Sequence, residues 1–108
     1  MGNLADYRED LERLALDGSL TAAHYLAKMY EGGYGVEQDD VLLYAWVRWG
    51  LREGKLTIRD DSRANFSAWL ELLRQNLRTE DQRRGLRIFN QLKVARDARH
   101  REWSKAPA

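Results

Sequence analysis

Apolar residues recur at three- and four-residue steps along most of the chain, which is the spacing of one face of an α-helix. This pattern predicts five helices separated by glycines or short polar segments. The expected ranges are Leu4–Asp17, Leu20–Glu31, Asp39 or Asp40 to Glu53, Asp61–Leu77, and a last helix starting at Thr79. No window alternates apolar and polar residues for long enough to predict a strand. The expected fold class is therefore all-α, and the short connections favour antiparallel neighbours.

The third predicted helix is apolar on two sides, which is typical of a helix buried between neighbours. These sides consist of Leu43, Tyr44, Val47 and Leu51, and of Leu42, Trp46 and Trp49. We expect this helix at the centre of the fold, with Trp46 and Trp69 in the core. Trp49 is most simply a core residue as well, but one helix of a five-helix domain cannot hide every side, so Trp49 is the tryptophan for which a partner contact at the surface stays open.

The last predicted helix begins with Thr79 and Gln82, which fit a capping box. Its apolar pattern ends after Val94 and returns only at Trp103. Two interpretations of the last ten or so residues stay open, a solvated extension of the helix and a frayed tail. Trp103 is accordingly either a clasp onto the core or an anchor for a partner.

The composition is that of one folded domain. The 108 residues are 44% hydrophobic and 32% charged, with four Trp, five Tyr and two Phe. The absence of cysteine excludes disulfides, thiolate catalysis and cysteine-based zinc sites. The N-terminus does not resemble a secretory signal, and no 18-residue apolar stretch is present. We therefore expect a soluble cytoplasmic protein without a membrane partner.

The net charge of +1 conceals an asymmetry along the chain. Residues 1–40 contain three basic and nine acidic residues, a net charge of −6. Residues 83–108 contain eight basic and two acidic residues, a net charge of +6. This pattern is explained either by two ends of one fold that attract each other or lie on solvated faces, or by an acidic partner or nucleic acid at the C-terminal end.

The central segment resembles a known helical repeat. Residues 23–39 read AHYLAKMYEGGYGVEQD, which resembles the first helix and the glycine loop of a Sel-like repeat, a relative of the tetratricopeptide repeat. The Leu-Tyr-Ala-Trp of residues 43–46, the pair Gly50-Leu51 and the closing Gly54 are similar to its second helix. The loop glycines Gly33 and Gly35 suit positive φ angles.

The resemblance implies a short α-solenoid of about five antiparallel helices. One repeat would cover residues 20–54, a half repeat residues 3–19, and divergent capping helices residues 60–103. Residues 1–108 would form one domain, because a single repeat needs caps to bury its faces. Glu102-Trp103 also resembles the end of the terminal helix in this family.

The resemblance also implies a function in protein binding, because such repeats bind partners in a groove lined mainly by their first helices. On this chain the groove corresponds to the solvent side of the second helix. The expected contacts there are His24, Tyr25 and Lys28, with Tyr34 at the end of the helix. We therefore expect a non-catalytic interaction module or adaptor.

No residue pattern predicts catalysis, a cofactor or a metal. The glycine loop at residues 32–35 lacks the Lys-Ser or Lys-Thr of a phosphate-binding loop, and no strand precedes it. The acidic pairs match no established ligand spacing. His24 has no nucleophile or carboxylate placed beside it by spacing. We therefore expect no catalytic, cofactor or metal site.

Three alternatives to an adaptor stay open at this point. Arg83, Arg84 and Arg87, together with Arg96, could contact the phosphates of a nucleic acid. The chain could instead be a dedicated inhibitor, immunity protein or secretion chaperone of one partner. Two copies could also stack through the open end faces of so short a solenoid.

Overall fold

The computed structural model describes the backbone of residues 4–54 and 60–105 and the side chains of residues 6–54 and 65–102. Within these ranges the chain is helical and contains no strand, which confirms the predicted all-α class. The helices are α1 (Leu4–Leu16), α2 (Leu20–Gly32), α3 (Asp40–Glu53), α4 (Asp60–Asn76) and α5 (Thr79–Lys105).

Helix α3 is the centre of the fold, as its apolar pattern predicts. It packs against α2, α4 and α5, while α1 packs against α2 and α5. Tyr44 and Val47 of α3 are fully buried, and Leu26 of α2 is buried with them. A large apolar area is thereby removed from water around α3, and this burial is the main stabilising contribution.

Trp49 is a core residue, and the alternative that it is a partner contact at the surface is wrong, because its side chain is 0% exposed. Its ring packs edge-on against Phe89 of α5, with centroids 5.7 Å apart. Its Nε1 donates a hydrogen bond of 2.8 Å to the carbonyl oxygen of Ala15, at the end of α1. Trp49 of α3 therefore contacts both α1 and α5. Helix α5 covers the side of α3 on which a partner contact was considered.

Local sequence determines where α2 and α3 begin and where α2 ends. The Ser19 hydroxyl accepts a hydrogen bond of 3.1 Å from the N–H of Ala22 at the start of α2. The Asp39 carboxylate accepts two, of 2.9 and 3.0 Å, in the first turn of α3. Gly33 and Gly35 have φ angles of 70° and 72°, which confirms the predicted positive φ in this loop.

The predicted capping box at the start of α5 does not form. Thr79 is already the first helical residue, and the N–H of Gln82 donates to the carbonyl of Arg78. The Gln82 side chain donates instead to the carbonyls of Arg74 and Leu77, each at 3.0 Å. Gln82 therefore closes the turn between α4 and α5, since the last carbonyls of α4 lack partners within that helix.

The backbone of α5 continues as one helix to Lys105, so the helical extension is the interpretation that the structure supports. Its inner face changes from apolar to basic after Leu92. Arg96 Nη1 lies 2.5 Å from Glu53 Oε2, and Arg99 makes two hydrogen bonds, of 2.9 and 3.2 Å, to the Asp17 carboxylate. The apolar pattern therefore fades because ion pairs replace it. The side chain of Trp103 lies outside the described residues.

Helix α1 buries less of its apolar stripe than its spacing suggests. Leu11 and Ala15 are buried against the core. Tyr7 and Leu14, which lie four and three residues from Leu11 and so follow the same helical spacing, are 51% and 53% exposed. The outer side of α1 thus presents two large apolar side chains to solvent.

Candidate functional site

Three of the predicted contact residues lie on the solvent side of α2. Alanines and Leu26 form its buried side, which leaves His24, Tyr25 and Lys28 exposed. Tyr25 is 51% exposed although it is a large aromatic residue. The helix therefore displays an aromatic ring, an imidazole and an ammonium group within two turns.

Helix α4 contributes two further rings beside His24. The His24 ring packs edge-on against Phe66 and Trp69, with centroids 5.9 and 6.0 Å apart, and against Tyr25 at 6.1 Å. Phe66 is buried, whereas Trp69 is half-buried. We call the group formed by His24, Tyr25, Lys28 and Trp69 the α2–α4 surface.

The Lys28 side chain contacts residues of both helices, Glu31 on α2 and Trp69 on α4. Its Nζ lies 5.1 Å from the ring centroid of Trp69, which is a cation–π distance. The same nitrogen lies 3.3 Å from Glu31 Oε1. These two contacts place the ammonium group between the aromatic face of Trp69 and the Glu31 carboxylate.

Partial burial and the neighbouring Lys28 lower the pKa of His24 below its ordinary value of 6.5. The imidazole is therefore neutral at pH 7. A neutral imidazole has one nitrogen that donates and one that accepts a hydrogen bond. This edge of the surface can accordingly satisfy either kind of polar group on a partner.

Tyr34 lies apart from this cluster, in the loop that follows α2. It is 66% exposed, and the ring contacts of His24 do not include it. Its ring lies against Gly32, where a Cβ would come within 2.1 Å of Tyr34 Cε2. The structure therefore places three of the four predicted α2 contacts together and the fourth at the end of the helix.

The predicted arginines of α5 form a separate group on another helix. Arg83, Arg84 and Arg87 are exposed, and Arg84 Nη1 lies 3.7 Å from Asp81 Oδ1. Arg96 does not belong with them, because it turns inward to Glu53 and lies 5.3 Å from the ring centroid of Trp49. Of the four arginines named for the nucleic-acid alternative, Arg96 is therefore the one whose guanidinium already contacts an acidic and an aromatic side chain of the fold.

Sequence reasoning placed Trp69 in the core and missed that this half-buried side chain, which packs against the core, also borders His24 and Lys28. Its spacing from Phe66 and Leu70 indicates a helix face directed to the core, and Trp69 was expected there. The face is wide enough that Phe66 and Leu70 fill the interior while Trp69 stays at the rim. The contact of both rings with His24 depends on tertiary packing, for which helical spacing contains no signal.

Among the described residues, no group of three or more His, Asp and Glu side chains could hold a metal ion. None of the helices in the described ranges is both long enough and apolar enough to cross a membrane.

Comparison of the chain with models of protein families, with curated proteins and with solved structures gave no match.

Proposed function

We propose that this chain is a cytoplasmic, non-catalytic protein-interaction module that binds another protein through the α2–α4 surface. The observation that carries the proposal is the cluster in which the exposed His24, Tyr25 and Lys28 lie beside the half-buried Trp69. Tyrosine and tryptophan are enriched among the residues that dominate binding energy at protein interfaces.

The contacts within this cluster support a binding role, because immobilising a side chain at an interface costs conformational entropy. The His24 ring is held by three aromatic neighbours, and Lys28 is held by Trp69 and Glu31. Little further ordering is then needed when a partner docks. His24, Tyr25 and Lys28 are exposed to solvent. Aromatic residues that combine an apolar ring with a polar group suit a surface that is hydrated in the free protein and buried in a complex.

The resemblance to a Sel-like repeat is the second support for this proposal. In that interpretation α2 and α3 are the two helices of one repeat, spanning residues 20–54, and α2 lines the binding groove. The buried Ala23 and Ala27 fit close approach of the two helices, and the buried Tyr30 and Trp46 fit the space between them. We propose a short solenoid of antiparallel helices with α1 as a half repeat and with α4 and α5 as caps.

The exposed arginines at the start of α5 favour a second candidate, a nucleic-acid-associated regulator. Arg83 and Arg87 are exposed one helical turn apart. Such a function predicts affinity that falls steeply with salt, because each phosphate contact releases condensed counterions. Replacing Arg83, Arg84 and Arg87 by Glu would then abolish binding, whereas unchanged binding would exclude this candidate.

The test of the main proposal is affinity purification from the source cells with three forms of the chain. These forms are the wild type, Tyr25→Ala, and Tyr7→Ala as the control. Tyr7 and Tyr25 are both helical tyrosines and both 51% exposed, so that the two variants remove the same group at equal exposure.

We expect the wild type and Tyr7→Ala to recover one protein at a stoichiometric level, and Tyr25→Ala to lose most of it. Equal recovery by both variants would place binding on another surface. Recovery of nucleic acid without a stoichiometric protein would favour the second candidate. A partner encoded beside this chain would indicate a dedicated inhibitor or chaperone rather than a general adaptor.

A further inference from the structure

Arg48 lies half-buried where α3 meets α5. Its guanidinium carbon is 5.7 Å from the ring centroid of Phe89 on α5, and its Nη1 donates to the Tyr44 hydroxyl at 3.5 Å. Its Nε is enclosed and makes no hydrogen bond. Nη2 also makes none within the described part of the chain, but it is not enclosed. Because a guanidinium has five N–H donors, most of the donor capacity of Arg48 is unused.

No carboxylate of the described residues neutralises Arg48. None of the ion pairs between these residues includes Arg48 or Arg52, the exposed arginine one helical turn further along α3. Residues four apart are neighbours on the surface of a helix. A partly buried charge without an opposite charge is unfavourable, since burial removes part of its hydration.

The carboxylates beside this pair of arginines contact other cations. Glu53 Oε1 lies 3.9 Å from Lys93 Nζ, and the same carboxylate accepts a hydrogen bond from Arg96. Asp97 Oδ1 lies 3.2 Å from Arg96 Nε. Lys93 Nζ is also 5.9 Å from the ring centroid of Phe89, so that it is a second cation beside this ring. Glu53 and Asp97 are thus shared among cations of α5.

The other carboxylates of the neighbouring helices leave Arg48 and Arg52 without an opposite charge. Asp17 of α1 accepts two hydrogen bonds from Arg99. Three acidic residues at the starts of α3 and α5 lie more than two helical turns before Arg48 and Phe89, and they are Asp40, Glu80 and Asp81. The junction of α3 and α5 therefore has positive charge that the described part of the fold does not neutralise.

We propose that a phosphate group binds at this junction, as free phosphate or as a phosphate monoester. Its ligands are Arg48 and Arg52, with Lys93 adding to the positive potential, and we call these three residues the α3–α5 cationic cluster. A phosphate monoester carries close to two negative charges at neutral pH, which match the two arginines. Guanidinium groups bind phosphate through paired N–H donors.

The α3–α5 cationic cluster is separate from the surfaces considered above. It shares no residue with the α2–α4 surface, so the inference goes beyond the proposed function and does not depend on it. It also shares no residue with the exposed arginines at the start of α5, which are Arg83, Arg84 and Arg87. Binding of a small phosphate and binding of a nucleic acid are therefore distinguishable by the residues that respond.

Nuclear magnetic resonance titration of the ¹⁵N-labelled chain with sodium phosphate tests the proposal, with sodium chloride adjusted to keep the ionic strength constant. We expect saturable shifts, with one phosphate per chain, in the Nε–Hε signal of Arg48 and in the backbone amides around Arg48 and Phe89. Phenyl phosphate should shift the same signals. Signals of Arg78, an exposed arginine in the turn between α4 and α5, should not shift saturably.

Three variants make the titration specific. Arg48→Gln should raise the Kd for phosphate by about tenfold or more, because charge-assisted hydrogen bonds are lost. Arg52→Gln should raise it by about threefold, since Arg52 is exposed. The same change at Arg78 should leave the Kd unchanged. If circular dichroism shows that Arg48→Gln does not fold, the exposed Arg52→Gln decides the test.

Absence of saturable shifts around Arg48 overturns the proposal, as does a Kd that the folded Arg48→Gln chain or the Arg52→Gln chain leaves unchanged. Shifts at Arg78 that match those at Arg48 overturn it in favour of general screening by the added ions. Shifts that appear only with a single-stranded oligonucleotide, centred on Arg83 and Arg87, overturn it in favour of nucleic-acid binding by α5.

Discussion

Replacement of Gly85 by Ala tests how closely α5 approaches the central helix. Gly85 lies in the second turn of α5 and is buried against Tyr44 of α3. A Cβ at Gly85 would lie 2.5 Å from Tyr44 Cδ1 and 3.3 Å from Tyr44 Cε1. Tyr44 is only 2% exposed, so that its ring could move away only within the closely packed core and not into solvent.

Two effects of opposite sign decide the result. Replacing a helical glycine by alanine stabilises a helix by about 1 kcal/mol, because glycine loses more backbone entropy on folding. Overpacking of a closely packed core costs about 1 to 3 kcal/mol. At 2.5 Å the new Cβ would be much closer to Tyr44 than a van der Waals contact allows, and we therefore expect a net loss of about 1 kcal/mol.

Urea and thermal unfolding followed by circular dichroism measure this loss. A destabilisation of about 1 kcal/mol lowers the Tm of a domain of this size by about 4 to 8 °C. Gly32→Ala is the matched control. Its Cβ would come even closer to a ring, at 2.1 Å from Tyr34 Cε2, but Tyr34 is 66% exposed and can swing away. Its stability should change little.

A Gly85→Ala chain as stable as the wild type, or more stable, would refute this reasoning. The helix propensity of alanine would then outweigh packing, and α5 would not lie so close to Tyr44. A large loss in Gly32→Ala would likewise contradict the view that the mobility of the neighbouring ring, rather than its distance, decides the cost.

Three further outcomes are expected. Asp39→Ala removes two N-cap hydrogen bonds from α3 and should cost about 1 to 2 kcal/mol in urea unfolding. Asp17→Asn weakens the pairing with Arg99 and should cost about 1 kcal/mol or less, and the loss should shrink in high salt. Because the pKa of folded His24 is lowered, the unfolded chain binds the proton more readily, and stability should fall as the pH drops below about 6.5. A His24→Gln chain should lack this component of the pH dependence, as urea titrations at several pH values would measure.

The helices could be predicted from the sequence because their signals are local. Apolar spacing, the glycine stops and the acidic start of α3 each act within a few residues. The contacts that bury Trp49 could not be predicted in this way, since they depend on α1 and α5 meeting around α3. The apolar sides of one helix do not show how many neighbouring helices pack against it.

The basic half of α5 illustrates a second limit. Arg96 and Arg99 lie on its inner side, where spacing predicts apolar residues, and their partners are 43 and 82 residues away in the chain. Attraction between the two ends of the fold was one of the interpretations that the charge asymmetry of the sequence left open. It could not indicate which arginines turn inward and which remain outside.

The candidate site was predictable in part. The resemblance to a repeat directs attention to the solvent side of α2, and His24, Tyr25 and Lys28 are exposed there. The contribution of Trp69 comes from α4 through contacts that cross the fold. The composition of a surface formed by two helices cannot be predicted from the spacing within either helix.

The proposed role of the α2–α4 surface is tested most directly by calorimetric titration of the purified stoichiometric partner with the wild-type, Tyr25→Ala and Tyr7→Ala chains. An interface anchored by Tyr25 predicts that Tyr25→Ala weakens Kd by about tenfold or more. Tyr7→Ala, which removes an equally exposed ring on α1, should leave Kd unchanged. Equal affinity of Tyr25→Ala and the wild type, or a loss confined to Tyr7→Ala, would contradict the account.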